Sequence, residues 1–309
     1  MSIFQSKKKQ RELYEKLIKL TLIGAATISI LTTFGILFSI LFEAIEFFKV
    51  RSFWYFMTGT VWSPGVIDSQ FGALPIFAGT FIITIIALSV AIPVGLGSAI
   101  YMSEYASSKL RDYLKPILEV LAGIPSVVYG FFAAITVAPF VVQVAQVFGI
   151  EATFNSALAS GIVMGIMIIP TISSLSDDVI RSVPDSQRKA AFGLGMTHGE
   201  TIKDIVIPTA MPGIISASLL ALSKALGETM VVVMAAGLRP NLSWNPLEDM
   251  TTVTVTIVNA LVGDFEFSSP ETLSAFALGL VLFVVTLILN MISLSLIRKF
   301  KEKYKVNTL

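Results

Sequence analysis

Cysteine is absent from this 309-residue sequence, which excludes disulfides, thiolate metal sites and cysteine nucleophiles. A single histidine, His198, rules out a histidine-rich metal centre. No Gly-Lys dipeptide occurs, so there is no Walker A loop to cradle nucleotide phosphates, and any ATP chemistry falls to another polypeptide. Charge is sparse: 14% of residues are charged and the net charge is +1, so only its distribution along the chain carries information. What remains is apolar. With 54% hydrophobic residues and a mean hydropathy of +0.81, the chain has more apolar surface than a soluble domain can cover. The class is integral membrane protein.

Five stretches carry no charge at all: 20–42, 71–103, 120–150, 152–176 and 272–297. A sixth, 205–238, is interrupted by one pair of opposite charges at its middle. Each is long enough for a helix of about 20 residues to cross a bilayer. The stretches 71–103 and 120–150 are too long for one untilted span, and Pro75, Pro93, Pro125 and Pro139 are places where their helices begin, kink or end. The first stretch exceeds the roughly 7–15 residues of a signal-peptide core and is expected to stay as an anchor. Six spans are predicted.

Lysine and arginine set the orientation. The segments 1–19, 104–119, 177–204 and 298–309 hold 18 of the 22, whereas the alternate side holds Lys49, Arg51 and Arg239. By the positive-inside rule both termini are cytoplasmic, in agreement with an even number of spans. The outside segment 43–70 carries Phe53, Trp54, Tyr55, Phe56 and Trp62, residues suited to a membrane interface. The second outside segment, 239–271, is acidic and contains an apolar run at 253–262, too short to span. That run predicts a short helix lying on the membrane surface or dipping partly into it. Gly161 and Gly165 form a G-x-x-x-G, a weak sign of a close helix crossing.

Lys224 and Glu228 are the charged pair inside the sixth stretch. A charged side chain at the bilayer centre costs about 2.5–3.5 kcal/mol on insertion scales, so it faces a protein interior or an aqueous path. Spaced i and i+4, the two share one face of a continuous helix and are placed to touch. Ser126 and Tyr129 in the third span, and Thr171, Ser173 and Ser174 near the end of the fourth, are candidate pathway hydroxyls; the alternative is bonding to backbone or to a neighbouring helix.

The segment 177–208 predicts a helix over 187–194, a break at Gly195, and a second helix through 200–205 ending near Pro208. It contains Lys189-Ala190-Ala191, three residues, Gly195, nine residues, then Ile205-Val206-Ile207-Pro208. Two alanines permit a close helix contact and the glycine permits a turn with positive φ. This run resembles the EAA loop of ABC-importer permeases, E-A-A-x3-G-x9-I-x-L-P, with Lys189 in place of the Glu and Ile207 in place of the Leu. The resemblance implies a coupling helix that docks on an ATP-hydrolysing subunit, with Ala190, Ala191, Gly195, Thr197, Glu200 and Pro208 as its residues here.

Further stretches are similar to phosphate-importer permeases of the PstC type: Gly72-Ala73-Leu74-Pro75 followed by 91–104, Leu121-Ala122-Gly123-Ile124-Pro125-Ser126-Val127-Val128-Tyr129-Gly130, and Ala225-Leu226-Gly227-Glu228-Thr229-Met230. The last of these, with Phe56-Met57-Thr58-Gly59-Thr60-Val61-Trp62-Ser63-Pro64, looks like PstC rather than its PstA partner. This resemblance implies an all-α polytopic fold with six transmembrane helices and a MetI-like permease core. It divides the chain into a basic lead, first span and outside segment (1–70), a permease domain (71–300) with its coupling loop at 186–208, and a basic tail (301–309). It further implies a PstA-like second permease subunit, ATP-binding subunits, an external phosphate-binding protein, and a place in the inner or plasma membrane. No cofactor, metal, catalytic residue or nucleic acid is expected. Lys224, Glu228, Ser126, Tyr129 and Thr229 are the implied substrate pathway, with Lys224 as counter-charge to a phosphate anion and Glu228 holding Lys224 when the path is empty; a structural pair bridging to a neighbouring helix is the alternative. Rival functions are a permease for sulfate or molybdate, and an ion-coupled secondary transporter, although no inverted repeat is visible.

Overall fold

The structure, a computed structural model, describes residues 2–65, 68–262 and 266–303, with side chains from 14 to 299. The tail beyond 303 and Asp264 lie outside the described residues. Among the described residues six helices are long and apolar enough to cross a membrane: Tyr14–Val50, Leu74–Tyr105, Ser126–Val147, Ala157–Arg181, His198–Leu226 and Pro270–Lys299. All six predicted spans are present.

Proline placement explains the element boundaries. Helix α1 (Ser2–Val50) contains no proline, so the basic lead and the first span form one continuous rod. A short helix α2 (Phe53–Thr58) and a two-strand turn, β1 (Trp62–Ser63) antiparallel to β2 (Gln70–Phe71), follow. Here the expected interfacial aromatics divide. Phe56 and Trp62 are buried with Phe47 and Phe71 in edge-to-face contacts 5.5–6.3 Å apart, while Phe53, Trp54 and Tyr55 stay exposed. Pro75 stands in the first turn of α3 (Leu74–Ile100), where its missing N–H costs nothing. Helix α3 then widens into a π-helical turn at Tyr101–Tyr105.

Helix α4 (Ser108–Ala122) is amphipathic and absorbs the first residues of the stretch predicted as the third span. That span begins only after Pro125, as α5 (Ser126–Phe132), a π turn (Ala133–Val137) and α6 (Ala138–Val147). The core is the crossing of α3 with α7 (Ala157–Arg181). A Cβ on Gly161 lies 2.6 Å from Ile86, and one on Gly165 lies 2.8 Å from the Ala87 carbonyl oxygen. The G-x-x-x-G therefore marks a close backbone approach, reinforced from the other side by Gly95 against Ile172.

The chain continues through α8 (Asp185–Gly193), α9 (His198–Thr201), a π turn (Ile202–Val206), α10 (Ile207–Leu226), α11 (Met230–Ala235), α12 (Val253–Val262) and α13 (Pro270–Lys303). The second helix of the 177–208 segment does not end near Pro208 as the sequence predicts. The π turn places the extra residue just before Pro208, which absorbs the missing donor and lets the helix run on. Ala44 and Phe47 near the end of α1 pack with Leu273 and Ala277 near the start of α13, so the two terminal helices run antiparallel. The start of α1 and the end of α13, with the end of α3, α4 and the end of α7, come to one pole, the basic end of the bundle.

Candidate functional site

The charged pair sits at a helix break, not on a continuous helix. Helix α10 ends at Leu226, Gly227 takes the cap position, and Thr229 at φ −122° precedes α11. Lys224 is exposed and Glu228 half-buried; among the described residues the two form no ion pair with each other or with any other side chain. Three features hold the break open. Glycine is a poor helix former. The Glu228 carboxylate accepts from the Val231 N–H at 3.3 Å and so caps α11. The Glu228 carbonyl, which a continuous helix would use internally, accepts from Thr254 Oγ1 at 2.8 Å. The i, i+4 contact expected from the sequence is lost for these reasons.

Depth follows from the neighbours. Gly213 of α10 packs on Val179 near the basic end of α7, and the Ala235 carbonyl accepts from Ser156 N–H at 3.0 Å, just before α7 begins. The break lies between them, about 20 Å along α10 from Gly213 at 1.5 Å per residue. It closes the His198–Leu226 span, between the two ends of α7.

Thr254 reaches this depth because the outer segment descends into the bundle. Met250 N–H donates to the Ala236 carbonyl at 2.8 Å, the Thr251 carbonyl rests on Gly79 where any Cβ would collide, and Val253 N–H donates to Thr80 Oγ1 at 3.0 Å. Helix α12, predicted on the surface or partly inserted, therefore starts within the bundle, with Val253, Val255 and Thr256 buried. The sequence reading missed Gly79, Thr80 and Thr254. The available signal was the threonine-rich start Thr251-Thr252-Val253-Thr254, which gives an apolar helix a polar root.

The other pathway candidates fall differently. Tyr129 packs against the α3–α7 core and its hydroxyl donates to the Leu121 carbonyl at 3.0 Å. Ser126 is half-buried at the first turn of α5. Thr229 Oγ1 makes only a 3.5 Å contact to the Gly227 carbonyl. Ser173 is fully buried and donates to Ser98 Oγ at 3.0 Å, the helix-to-helix alternative; Thr171 and Ser174 are half-buried. Helix α11 crosses α5 closely, since a Cβ on Gly130 lies 2.9 Å from the Met230 carbonyl oxygen. Ser126, Tyr129 and the break are thus on neighbouring elements. A 630 Å³ depression lined by Gln146, Glu151, Thr153, Asn245 and Glu248 opens at the opposite pole, away from Lys224.

At the basic end the predicted helix, break at Gly195 and second helix form a compact knob. Helix α8 buries Ala191 and leaves Lys189 and Ala190 exposed. Gly195 adopts φ +84°, a left-handed conformation that costs other residues about 1–2 kcal/mol. Thr197 and Glu200 form a reciprocal capping box that starts α9. Two buried acids, Asp177 and Glu104, anchor the region. Asp177, fully buried, binds Arg111 of α4 at 2.6 Å, and Asp178 binds Lys115. The hydrogen bond to Asp177 holds the Arg111 guanidinium above its ordinary pKa despite burial. Glu104, 3% exposed, binds Arg188 of α8 at 2.6 Å.

Residues 91–303 match the family described as the binding-protein-dependent transport system inner membrane component. The chain belongs to this family. A probable ABC transporter permease protein, YqgH of Bacillus subtilis, is 36% identical over 81% of this chain and 78% of its own. Phosphate transport system permease proteins PstC of Mesorhizobium japonicum and PstC 1 of Mycobacterium bovis are 35% and 33% identical, over 76% and 79% of this chain and 75% and 82% of theirs. Among solved structures, a bacterial ABC transporter involved in import of the acidic polysaccharide alginate superposes with a TM-score of 0.63 at 15% identity, over 93% of this chain and 99% of that one. At that identity it shows the fold alone. As a member of this family the protein is a multi-pass inner-membrane transport component.

Proposed function

We propose that the protein is the PstC-like permease subunit of an ATP-driven importer of inorganic phosphate. The observation that carries this reading is the set of relatives named as phosphate permeases, alike along most of both chains. The chain pairs with a PstA-like permease, two ATPase subunits and an external phosphate-binding protein. The basic pole, with both termini, faces the cytoplasm, where the knob of α8, Gly195 and α9 docks on an ATPase; alternating access follows its movement.

Lys224 stands exposed on α10 beside the break, within the span and with no ion pair among the described residues. An ammonium so placed suits an anion in transit, as a point charge lacking the fork of arginine, so hydroxyls and the second permease supply orientation. Glu228 does not hold Lys224 here; it caps α11 and keeps the break open. Its negative charge beside the path disfavours anions that lack full neutralisation.

Binding-protein-dependent, ATP-driven uptake of labelled phosphate by the reconstituted complex is the test. Phosphate uptake unaffected by excess sulfate is expected, whereas efficient competition by sulfate moves the assignment to another oxyanion. Uptake without any ATPase subunit defeats the importer reading.

A further inference from the structure

Both helices of the knob converge on Glu104, in the π turn that ends the α3 span. Arg188 of α8 places Nη1 within 2.6 Å of both Glu104 carboxylate oxygens, and its Nη2 donates to the Ile180 carbonyl of α7 at 3.0 Å. From α9, His198 Nε2 lies 3.3 Å from the Glu104 carbonyl oxygen, its ring edge-on to Tyr105 and stacked near Phe192. Arg188 thus ties one knob helix to two spans at once. Asp185, 3.9 Å from Arg188 Nε, is 84% exposed and is the weaker partner.

A buried ion pair contributes little net stability compared with apolar residues of the same shape. It does fix geometry, because the planar guanidinium directs its donors along set lines. Placed where an exposed segment meets the ends of α3 and α7, such a pair transmits displacement better than it holds the fold together. The α3–α7 crossing is packed backbone to backbone, so a shift at Glu104 and Ile180 moves the pair of spans as a block. Helix α10, which carries Lys224, packs on that block.

We infer that the Arg188–Glu104 pair is the joint that carries motion of the docked knob into α3 and α7, making both positioning residues for translocation. This rests on reading 186–208 as the ATPase dock.

The test uses the complete complex in proteoliposomes with its binding protein, reading ATPase co-purification, ATP hydrolysis and labelled phosphate moved per ATP. Arg188→Lys keeps the charge but cannot grip Glu104 and Ile180 together. The double variant Glu104→Gln with Arg188→Met removes both charges and leaves no lone buried ion. Both variants are expected to assemble and hydrolyse ATP, with phosphate moved per ATP reduced about tenfold, within the usual range for coupling between sites. An unchanged ratio in the assembled variants overturns the inference. So does loss of ATPase co-purification, which makes the pair part of the dock, or failure of the double variant to assemble, which makes it structural. A wild-type complex that binds no ATPase refutes the functional reading instead.

Discussion

A lysine inside an apolar helix is expensive unless something meets it, and among the described residues no acid meets Lys224. If an anion in transit is its partner, Lys224→Gln abolishes phosphate uptake in an assembled complex. Glu228→Gln, which weakens the cap on α11, lowers it. Wild-type uptake from both variants removes the pair from the mechanism. Asp177 poses the opposite case, a fully buried acid with a guanidinium 2.6 Å away. Breaking a buried pair by deleting one partner costs about 3–5 kcal/mol. Arg111→Ala is therefore expected to lower the thermal midpoint of the purified protein clearly, and Lys115→Ala, at a half-exposed partner, to change it little.

Elements in this protein are joined at places where backbone meets backbone. Gly79 leaves room for the Thr251 carbonyl where no side chain fits, so Gly79→Ala is expected to push the re-entrant segment outward and loosen Thr254 from Glu228. Faster hydrogen exchange at 250–256 checks this, and unchanged protection counts against the re-entrant support. The outer loop has its own clasp. Asn241, Ser243 and Asn245 hydrogen-bond the Glu248 carboxylate and hold its pKa below the usual range. A carboxyl so lowered stabilises the loop at pH values above its unfolded pKa, and that contribution disappears as pH falls through the lowered value. Exchange protection at 241–248 is expected to be pH-independent near neutrality and to fall in acid below about pH 4. Glu248→Gln is expected to remove that acid step. The sequence supplied the helices themselves, since hydropathy and proline position mark them. It could not supply the break at Gly227, because Lys224 and Glu228 at i and i+4 read equally well as one turn; Thr254, 26 residues away, decides between the two.

For the whole molecule the absence of cysteine is a practical advantage, since any introduced thiol is unique. Leu194 at the basic pole is 84% exposed and Trp244 at the opposite pole 85% exposed. With both termini inside, Trp244→Cys reacts with a membrane-impermeant thiol reagent in intact cells and Leu194→Cys only after permeabilisation; the reverse pattern inverts the proposed orientation. By itself the sequence determined that the chain crosses a membrane six times, because a run of apolar residues long enough to span has no stable place in water. It also marked the helix, turn and helix around Gly195 through a spacing that local turn geometry obeys. Only the tertiary structure decided what lies beside Lys224, that the outer segment descends to hold the break, and that Arg188 joins the knob to two spans. Those contacts link residues distant in sequence, and a chain fixes them only when packing excludes every other partner for a buried polar group.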